Sequence, residues 1–471
     1  MSFSCQNGVC SNKGNSHRQT KIRRYQSLVL LSGLCGIGLV AHAQEALPEG
    51  VRTYFDVTQR FEFSDNPDLD TDGESDFFGR TILGYGLESE RSFDAFRLRL
   101  GTELEIGRKG ESTTNLTNSF ARLSYERDAR NSDISLNADY REVDVTSDDF
   151  DEDFDQDGNV INQDSGTRQS YGFRISSEIR KDAPIGATFG LSYREINFRD
   201  ANDPDLRDSS TLSLSGSVDF RISPNVTTSI VARYRDFDTE FPGTSRETIG
   251  LGVATELRIN PVLTANAELR YDRIDRSGGS VETDEGVSLE TSLTRDLKNG
   301  SLRFELNSDV VSNDDSRRGY FGVARSMELP RGQGLSYSLG LTRSDSTGFD
   351  PLVALDYRYD LPTGQINIGL TQFVATNDNN EESINTRLRA STSRQINSVS
   401  TIGANVSFYN VNELGDTGED SQRFSVGLSY ERVLTRDWSL ISGYSYILRK
   451  SDDTSDRDSN TVFVGLSRRF E

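Results

Sequence analysis

The chain has 471 residues, a formal net charge of −22 and a mean hydropathy of −0.58. All three cysteines and both histidines lie at or before His42, so the rest carries no disulfide framework, no thiolate chemistry and no imidazole proton shuttle. After residue 43 no apolar run reaches the length of a transmembrane helix, and the acidic balance excludes nucleic acid as a partner.

The N-terminus reads as an export signal. Lys21, Arg23 and Arg24 form a basic region, Leu28 to Val40 is an apolar stretch of about thirteen residues, and Ala41-His42-Ala43 is a small-residue cleavage site. Leu34 before Cys35 is too large for lipoprotein processing. The expectation is a Sec-type signal over 1–43, cut after Ala43, and a single domain over 44–471. The signal holds five basic and no acidic residues, so removing it takes the formal charge from −22 to −27. Beyond it the basic residues are nearly all arginine, with Lys109, Lys181, Lys298 and Lys450 the only lysines. Arginine forks onto carboxylates bidentately, which suits rows of paired charge.

A two-residue rhythm begins soon after the cut. Val51, Thr53, Phe55, Val57, Phe61 and Phe63 share one face, followed by an acidic segment from Asp65 to Asp76. Phe77, Leu83, Tyr85 and Leu87 mark a second strand, and Phe96, Leu98, Leu100, Leu104 and Ile106 a third. The pattern then repeats through Ile134–Tyr140, Tyr171–Ile179, Phe189–Tyr193, Leu212–Ile222 and Ile230–Tyr234. In Ile249-Gly250-Leu251-Gly252-Val253-Ala254-Thr255-Glu256-Leu257-Arg258-Ile259 one face is apolar and the other small or charged. Later strands follow to Trp438–Tyr446 and to Val462, Val464, Leu466 and Phe470.

Tight connections holding Pro or Gly, such as Ser223-Pro224-Asn225 and Leu361-Pro362-Thr363-Gly364, alternate with longer acidic ones at 64–76, 147–168, 199–209, 273–285, 376–383, 411–421 and 450–459. Strands of about ten to thirteen residues, greasy on one side and charged on the other, suit a tilted membrane crossing better than a soluble sandwich, whose apolar faces must meet each other. The expected fold is all-β: a transmembrane, antiparallel, up-and-down barrel of about 22 strands (range 16–22), with short periplasmic turns and longer acidic outer loops. Weak stretches near 116–125 and 302–306 set that range.

The polar face defines a candidate lumen wall: Arg174, Glu178 and Arg180; Arg233 and Arg235; Glu256 and Arg258; Glu268 and Arg270; Arg303 and Glu305; Arg387 and Arg389. These residues suit either a conducting wall with strong local fields or a cross-strand ion-pair lattice that stiffens the barrel. Two outer loops carry a calcium-type spacing. In one, Asp153, Asp155 and Asp157 occupy positions 1, 3 and 5, Gly158 allows the turn, Asn159 offers its carbonyl, and Asp164 stands where Glu is usual. In the other, Asp68, Asp70 and Asp72 repeat the core with Asp76 at position 9, but Gly79 stands at position 12. The same residues also make an ordinary solvated acidic loop. No cofactor is required, and Ca2+ in the outer loops is the one metal considered. If the 147–168 loop folds into the pore, its carboxylates favour cations.

The last strand resembles the closing strand of bacterial outer-membrane proteins, which the assembly machinery recognises by a terminal aromatic; here Phe470 is penultimate. On signal, hairpin asymmetry and closing strand, the whole chain resembles the porin-like families, and among them the β-barrel porin type 2 group, some of which are associated with exopolysaccharide export. The resemblance implies an outer-membrane porin for passive passage of ions or small hydrophilic solutes, preferring cations. The alternatives are a non-conducting structural or surface-interaction barrel and an exopolysaccharide-export barrel with a polysaccharide substrate. Lipid, lipopolysaccharide and the barrel assembly machinery are the expected partners. Membrane-barrel proteases, phospholipases and deacylases rely on a catalytic histidine that the mature chain lacks. TonB-dependent receptors have twenty-two strands but place a plug domain ahead of the barrel, and the strands here start within about ten residues of the expected cut.

Overall fold

A computed structural model describes residues 50–471 except 72, 109–114, 145–165, 201–207, 240–244, 278–281, 311–316, 345–347, 377–381, 415–419 and 452–453. The expected signal and cleavage site lie outside the described residues. Twenty-two strands follow in order: β1 (Val51–Ser64), β2 (Asp76–Glu90), β3 (Asp94–Ile106), β4 (Asn115–Ala129), β5 (Ser132–Asp144), β6 (Thr167–Ile179), β7 (Ile185–Arg199), β8 (Ser209–Ser223), β9 (Val226–Thr239), β10 (Ser245–Asn260) and β11 (Leu263–Ser277) make the first half. The second half is β12 (Glu282–Leu297), β13 (Gly300–Val310), β14 (Arg317–Leu329), β15 (Gln333–Ser344), β16 (Gly348–Leu361), β17 (Gly364–Thr376), β18 (Glu382–Asn397), β19 (Ser400–Glu413), β20 (Ser421–Val433), β21 (Trp438–Ser451) and β22 (Thr454–Phe470).

Each strand pairs antiparallel with its sequence neighbours, and β1 pairs with β22, so the sheet closes into a barrel with no free edge. Closure suits a chain in lipid, where unpaired backbone groups find no water. Side chains hold the seam as well. Phe55 lies opposite Phe470, with rings 6.2 Å apart. Arg469 Nε donates to Asp56 Oδ1 at 2.7 Å. At the outer rim, Thr461 Oγ1 donates to Ser64 Oγ at 3.1 Å, and the backbone N–H of Asn460 donates to Asp65 Oδ1 at 2.7 Å.

Outward positions are apolar and exposed: Ile249, Leu251 and Val253 on β10 face the same side as Leu269 and Tyr271 on β11. Inward positions carry Arg, Glu, Asp, Ser, Asn and Gly. This inside-out arrangement identifies the outer membrane as the location, with lipid against the apolar band.

The strands are longer than expected, from 11 residues in β13 to 17 in β22. The apolar alternation ends at the lipid boundary, but backbone pairing continues beyond it on polar residues. Strand pairing therefore enters the segments expected as outer loops: within 273–285, β11 runs on to Ser277 and β12 begins at Glu282, with Arg273–Asp275 (2.9 Å) and the Arg276–Asp284 pair on these extensions. Likewise, within 450–459, β21 runs to Ser451 and β22 begins at Thr454. Turns on the opposite rim are two to five residues long, as expected.

The weak stretch at 116–125 has a local cause. Between β3 and β4 the register slips: Gly101 faces Phe120, but Glu103 faces Thr117. Asn118 sits in this bulge at φ 50, a left-handed conformation that Asn tolerates. The extra residue switches the outward parity of β4 from Leu116 to Ala121, Leu123 and Tyr125, which breaks the rhythm.

Leu251 is 62 % exposed near the middle of β10. Leu251→Arg is expected to lower the unfolding free energy by about 2–4 kcal/mol, the range for a basic side chain at the bilayer midplane. Ala254→Arg, facing the lumen beside Glu256 and Glu268, is expected to lose much less. Urea titration in phospholipid bilayers, read by gel mobility, compares the two. Equal losses would overturn the assignment of faces.

Candidate functional site

The lumen wall is a lattice of charges fixed by register. On β10–β12, Arg270 is buried and central: its Nε donates to Asp272 Oδ1 at 2.6 Å and its Nη1 to Glu268 Oε1 at 2.6 Å. Arg233, one strand beyond β10, reaches Glu268 at 3.0 Å and Glu290 at 3.4 Å. Gly250 makes room for this cluster. A Cβ there would stand 2.8 Å from Arg270 Cδ, so the guanidinium lies across bare backbone. Towards the periplasmic side, a recess of about 420 Å³ over β8–β13 is lined by Asp219, Glu256, Glu268, Glu290, Glu305 and Arg303 among others. Arg258 pairs with Glu256 at 3.1 Å along β10, and Arg303 with Glu305 at 2.7 Å along β13.

A second cluster lies below the outer rim on β1–β3. Arg80 sits among Glu105 (3.1 Å), Glu62 (3.5 Å) and Glu103 (3.8 Å), with its guanidinium 5.2 Å from the Phe78 ring centre. Arg60 pairs with Glu62, while Arg108 pairs with Glu105 at 3.1 Å and with Asp68. Sequence reading missed this cluster. Its signal was present: Arg60 and Glu62 alternate with Phe61 and Phe63, and Glu103 and Glu105 with Leu104 and Ile106.

A third lies on β18–β19. Arg389 Nε donates to the Tyr409 hydroxyl at 2.7 Å, and the guanidinium carbons of Arg387 and Arg389 lie 5.4 and 5.5 Å from that ring.

The remaining expected wall residues divide. Arg174 and Glu178 face inward on β6, and Arg235 faces inward on β9. Arg180 does not line the wall. It follows the last residue of β6, in the turn, exposed and at φ 57, because the strand ends at Ile179 and the chain must reverse there.

Of the calcium-type residues, Asp72 and the whole of Asp153, Asp155, Asp157, Asn159 and Asp164 lie outside the described residues. Asp68, Asp70 and Asp76 do not converge. Asp68 pairs with Arg108; Asp70 exchanges backbone hydrogen bonds with the Asn66 amide (2.8 and 3.0 Å); Asp76 Oδ1 accepts from the Phe77 N–H at 2.8 Å. Burial pushes the Asp68 carboxyl above its ordinary range. Arg108 opposes this, and Asp70, Asp144 and Glu105 add to it. Among the described residues no group of three or more acidic, His or Cys side chains is placed to hold a metal.

No family model matches the chain, and no curated protein matches it in sequence. Solved structures share the fold. A variant of the ferric enterobactin receptor from Pseudomonas aeruginosa, in complex with enterobactin, is 10 % identical with a TM-score of 0.54, covering 89 % of this chain and 81 % of its own. The ferric-catecholate import receptor Fiu from E. coli K12 is 10 % identical with a TM-score of 0.53, covering 88 % and 81 %. The FrpB iron transporter from Neisseria meningitidis is 10 % identical with a TM-score of 0.53, covering 89 % and 82 %. None of these is an enzyme. They overturn the expected passive, cation-preferring porin, and neither the structural barrel nor the polysaccharide exporter matches them. The early start of the strands argues against a plug domain ahead of the barrel, yet the barrel fold is shared with these receptors and transporters. The chain is therefore an outer-membrane barrel with the fold of iron-chelate receptors.

Arg270→Leu removes the shared partner of Glu268, Asp272 and Glu290, of which Glu268 and Glu290 keep Arg233. Removing one partner of a buried charge cluster costs about 3–5 kcal/mol, so the variant's unfolding free energy should fall by about that amount and its urea midpoint should drop accordingly. Pairing it with Glu268→Gln should recover part of the loss. A single variant as stable as wild type would show that the lattice does not brace the wall.

Proposed function

We propose that this chain is a ligand-selective uptake barrel of the outer membrane, for an iron chelate of siderophore size. The observation that carries the reading is the closed twenty-two-strand plan, shared over most of both chains with receptors named for ferric enterobactin and ferric catecholates. The wall chemistry agrees with it. Inward charges are held in fixed, mutually paired geometry, which favours recognition of a particular ligand over a featureless polar lining. The finer likeness to the β-barrel porin type 2 group concerns overall plan only. The barrel assembly machinery, through Phe470, and lipopolysaccharide around the outer rim belong to the same proposal.

The test is iron-limited growth and radioiron uptake in a Gram-negative host stripped of its own ferric-catecholate receptors. With the full chain expressed, uptake from ferric enterobactin should rise and saturate with concentration. Liposomes carrying the purified barrel should show no swelling graded by sugar size. Uptake that rises linearly without saturating, together with size-graded swelling, would overturn the proposal.

A further inference from the structure

One ladder of the closed sheet stops short. Among the described residues, β16 and β17 pair only from Leu361–Gly364 up to Ala354–Thr371. The flanking ladders carry on towards the outer rim: β15–β16 pairing reaches Ser344–Gly348, and β17–β18 pairing reaches Thr376–Glu382. The outer halves of β16 and β17, 348–353 and 372–376, are thus laddered on one side only, with a notch between them.

The residues here oppose zipping. The Val353 N–H points toward β17 but donates to the Gln372 side-chain Oε1 at 3.2 Å. Gln372 is itself held, its Nε2 donating to Thr386 Oγ1 at 3.1 Å. Backbone groups two residues apart on a strand point the same way, so Pro351 also turns its nitrogen toward β17, and that nitrogen carries no hydrogen. Of the donors β16 would offer there, one is capped and the next is missing. An added peptide strand would meet the same shortage, which disfavours strand addition at this edge. An apolar occupant needs no donor.

A recess of about 290 Å³ occupies the notch and spans the wall. Arg318 and Tyr320 line its lumenal side, with the Tyr320 ring lying across bare backbone at Gly322 and Gly340. Val353 and Val374 line it from the other side. Val353 lies opposite Leu339, which is 58 % exposed in the lipid-facing band, and Val374 shares the parity of Leu370, the partner of Leu355. Empty space at this depth forfeits dispersion contacts on both flanks, and water drawn in from the lumen would meet Leu352, Val353 and Val374.

We propose that this notch is a slot for a single-chain fatty acid, whose tail enters between β16 and β17 from the outer leaflet and whose carboxylate reaches Arg318. The volume lies at the small end of ligand pockets and suits one tail, not a two-tailed lipid. Arg318 is the charged side chain of the lining. It already pairs with Glu382, but a guanidinium has five donors and can serve a second carboxylate. The slot stands on strand pairing and packing and is independent of the uptake reading.

The test is photo-cross-linking of the full chain in phosphatidylcholine liposomes with diazirine-bearing palmitate, the adducts being placed by mass spectrometry. Segments 352–354 and 372–374 should be labelled at least about fivefold above the lipid-facing segment around Leu251, which is what filling one methyl-sized void is worth. Unlabelled palmitate should displace the adduct more strongly than hexadecanol, which lacks the carboxylate. Pro351→Val with Gln372→Val returns the missing donor and frees the Val353 N–H. The ladder should then zip upward, labelling should fall to the Leu251 level, and exchange of the Val353 amide should slow. Val374→Trp, which fills the slot and leaves the backbone donors as they are, should also bring labelling down. Heat-modified gel mobility checks folding, and Val374→Trp alone decides if the double variant fails it. Adducts spread evenly over the lipid-facing band, as diazirine-bearing phosphatidylcholine would give, would overturn the slot, as would a folded variant labelled like wild type. Displacement by hexadecanol as strong as by palmitate would overturn the assignment to a fatty acid.

Discussion

The need to satisfy every backbone N–H and C=O without water governs this molecule. In lipid an open sheet edge is costly, so β1 must pair with β22 and the sheet must close. Closure sets the side-chain rule. With one face in hydrocarbon, every second residue is outward and apolar, and the polar residues of twenty-two strands are gathered inside one wall.

Concentrating so much charge in a confined lumen has its own demands. A buried ion is costly unless paired, and pairing depends on which residue meets which across the strands. Arg270 works because the β10–β11 register sets it against bare backbone at Gly252 and beside Gly250, with acids two residues away on its own strand. Arg80 works because three acids on two flanking strands converge on it. The wall therefore differs from sector to sector, with a carboxylate-rich recess over β8–β13 and an arginine held among three acids on β1–β3.

Much of this was legible from residues alone. Alternation identified the barrel, since Leu212–Ile222 and Ile249–Ile259 cannot be read any other way over so many repeats. Glu268, Arg270 and Arg233 were recognised as inward. Their partnership was not, because it spans strands whose relative register no single segment encodes. The bulge at Asn118 hid part of β4 by switching parity, and Arg180 was misplaced because the alternation gave no sign that β6 stops at Ile179. Function was misread for a further reason. A passive pore and a chelate receptor obey the same lipid-facing rule, so the pattern that reveals the barrel carries no information about what passes through it.

The seam between β1 and β22 also shapes how the barrel comes into being. Asp56 and Arg469 are 413 positions apart in the chain, yet they clasp across neighbouring strands. Hairpins can form early from local contacts, but this junction is a contact of nearly maximal sequence separation and forms only once the intervening strands are in order. Until then two complete strand edges stand unpaired and ready to join any other edge. Seam closure is thus the last pairing that can complete the barrel, and an escort that shields those two edges during that interval has a physical reason to exist.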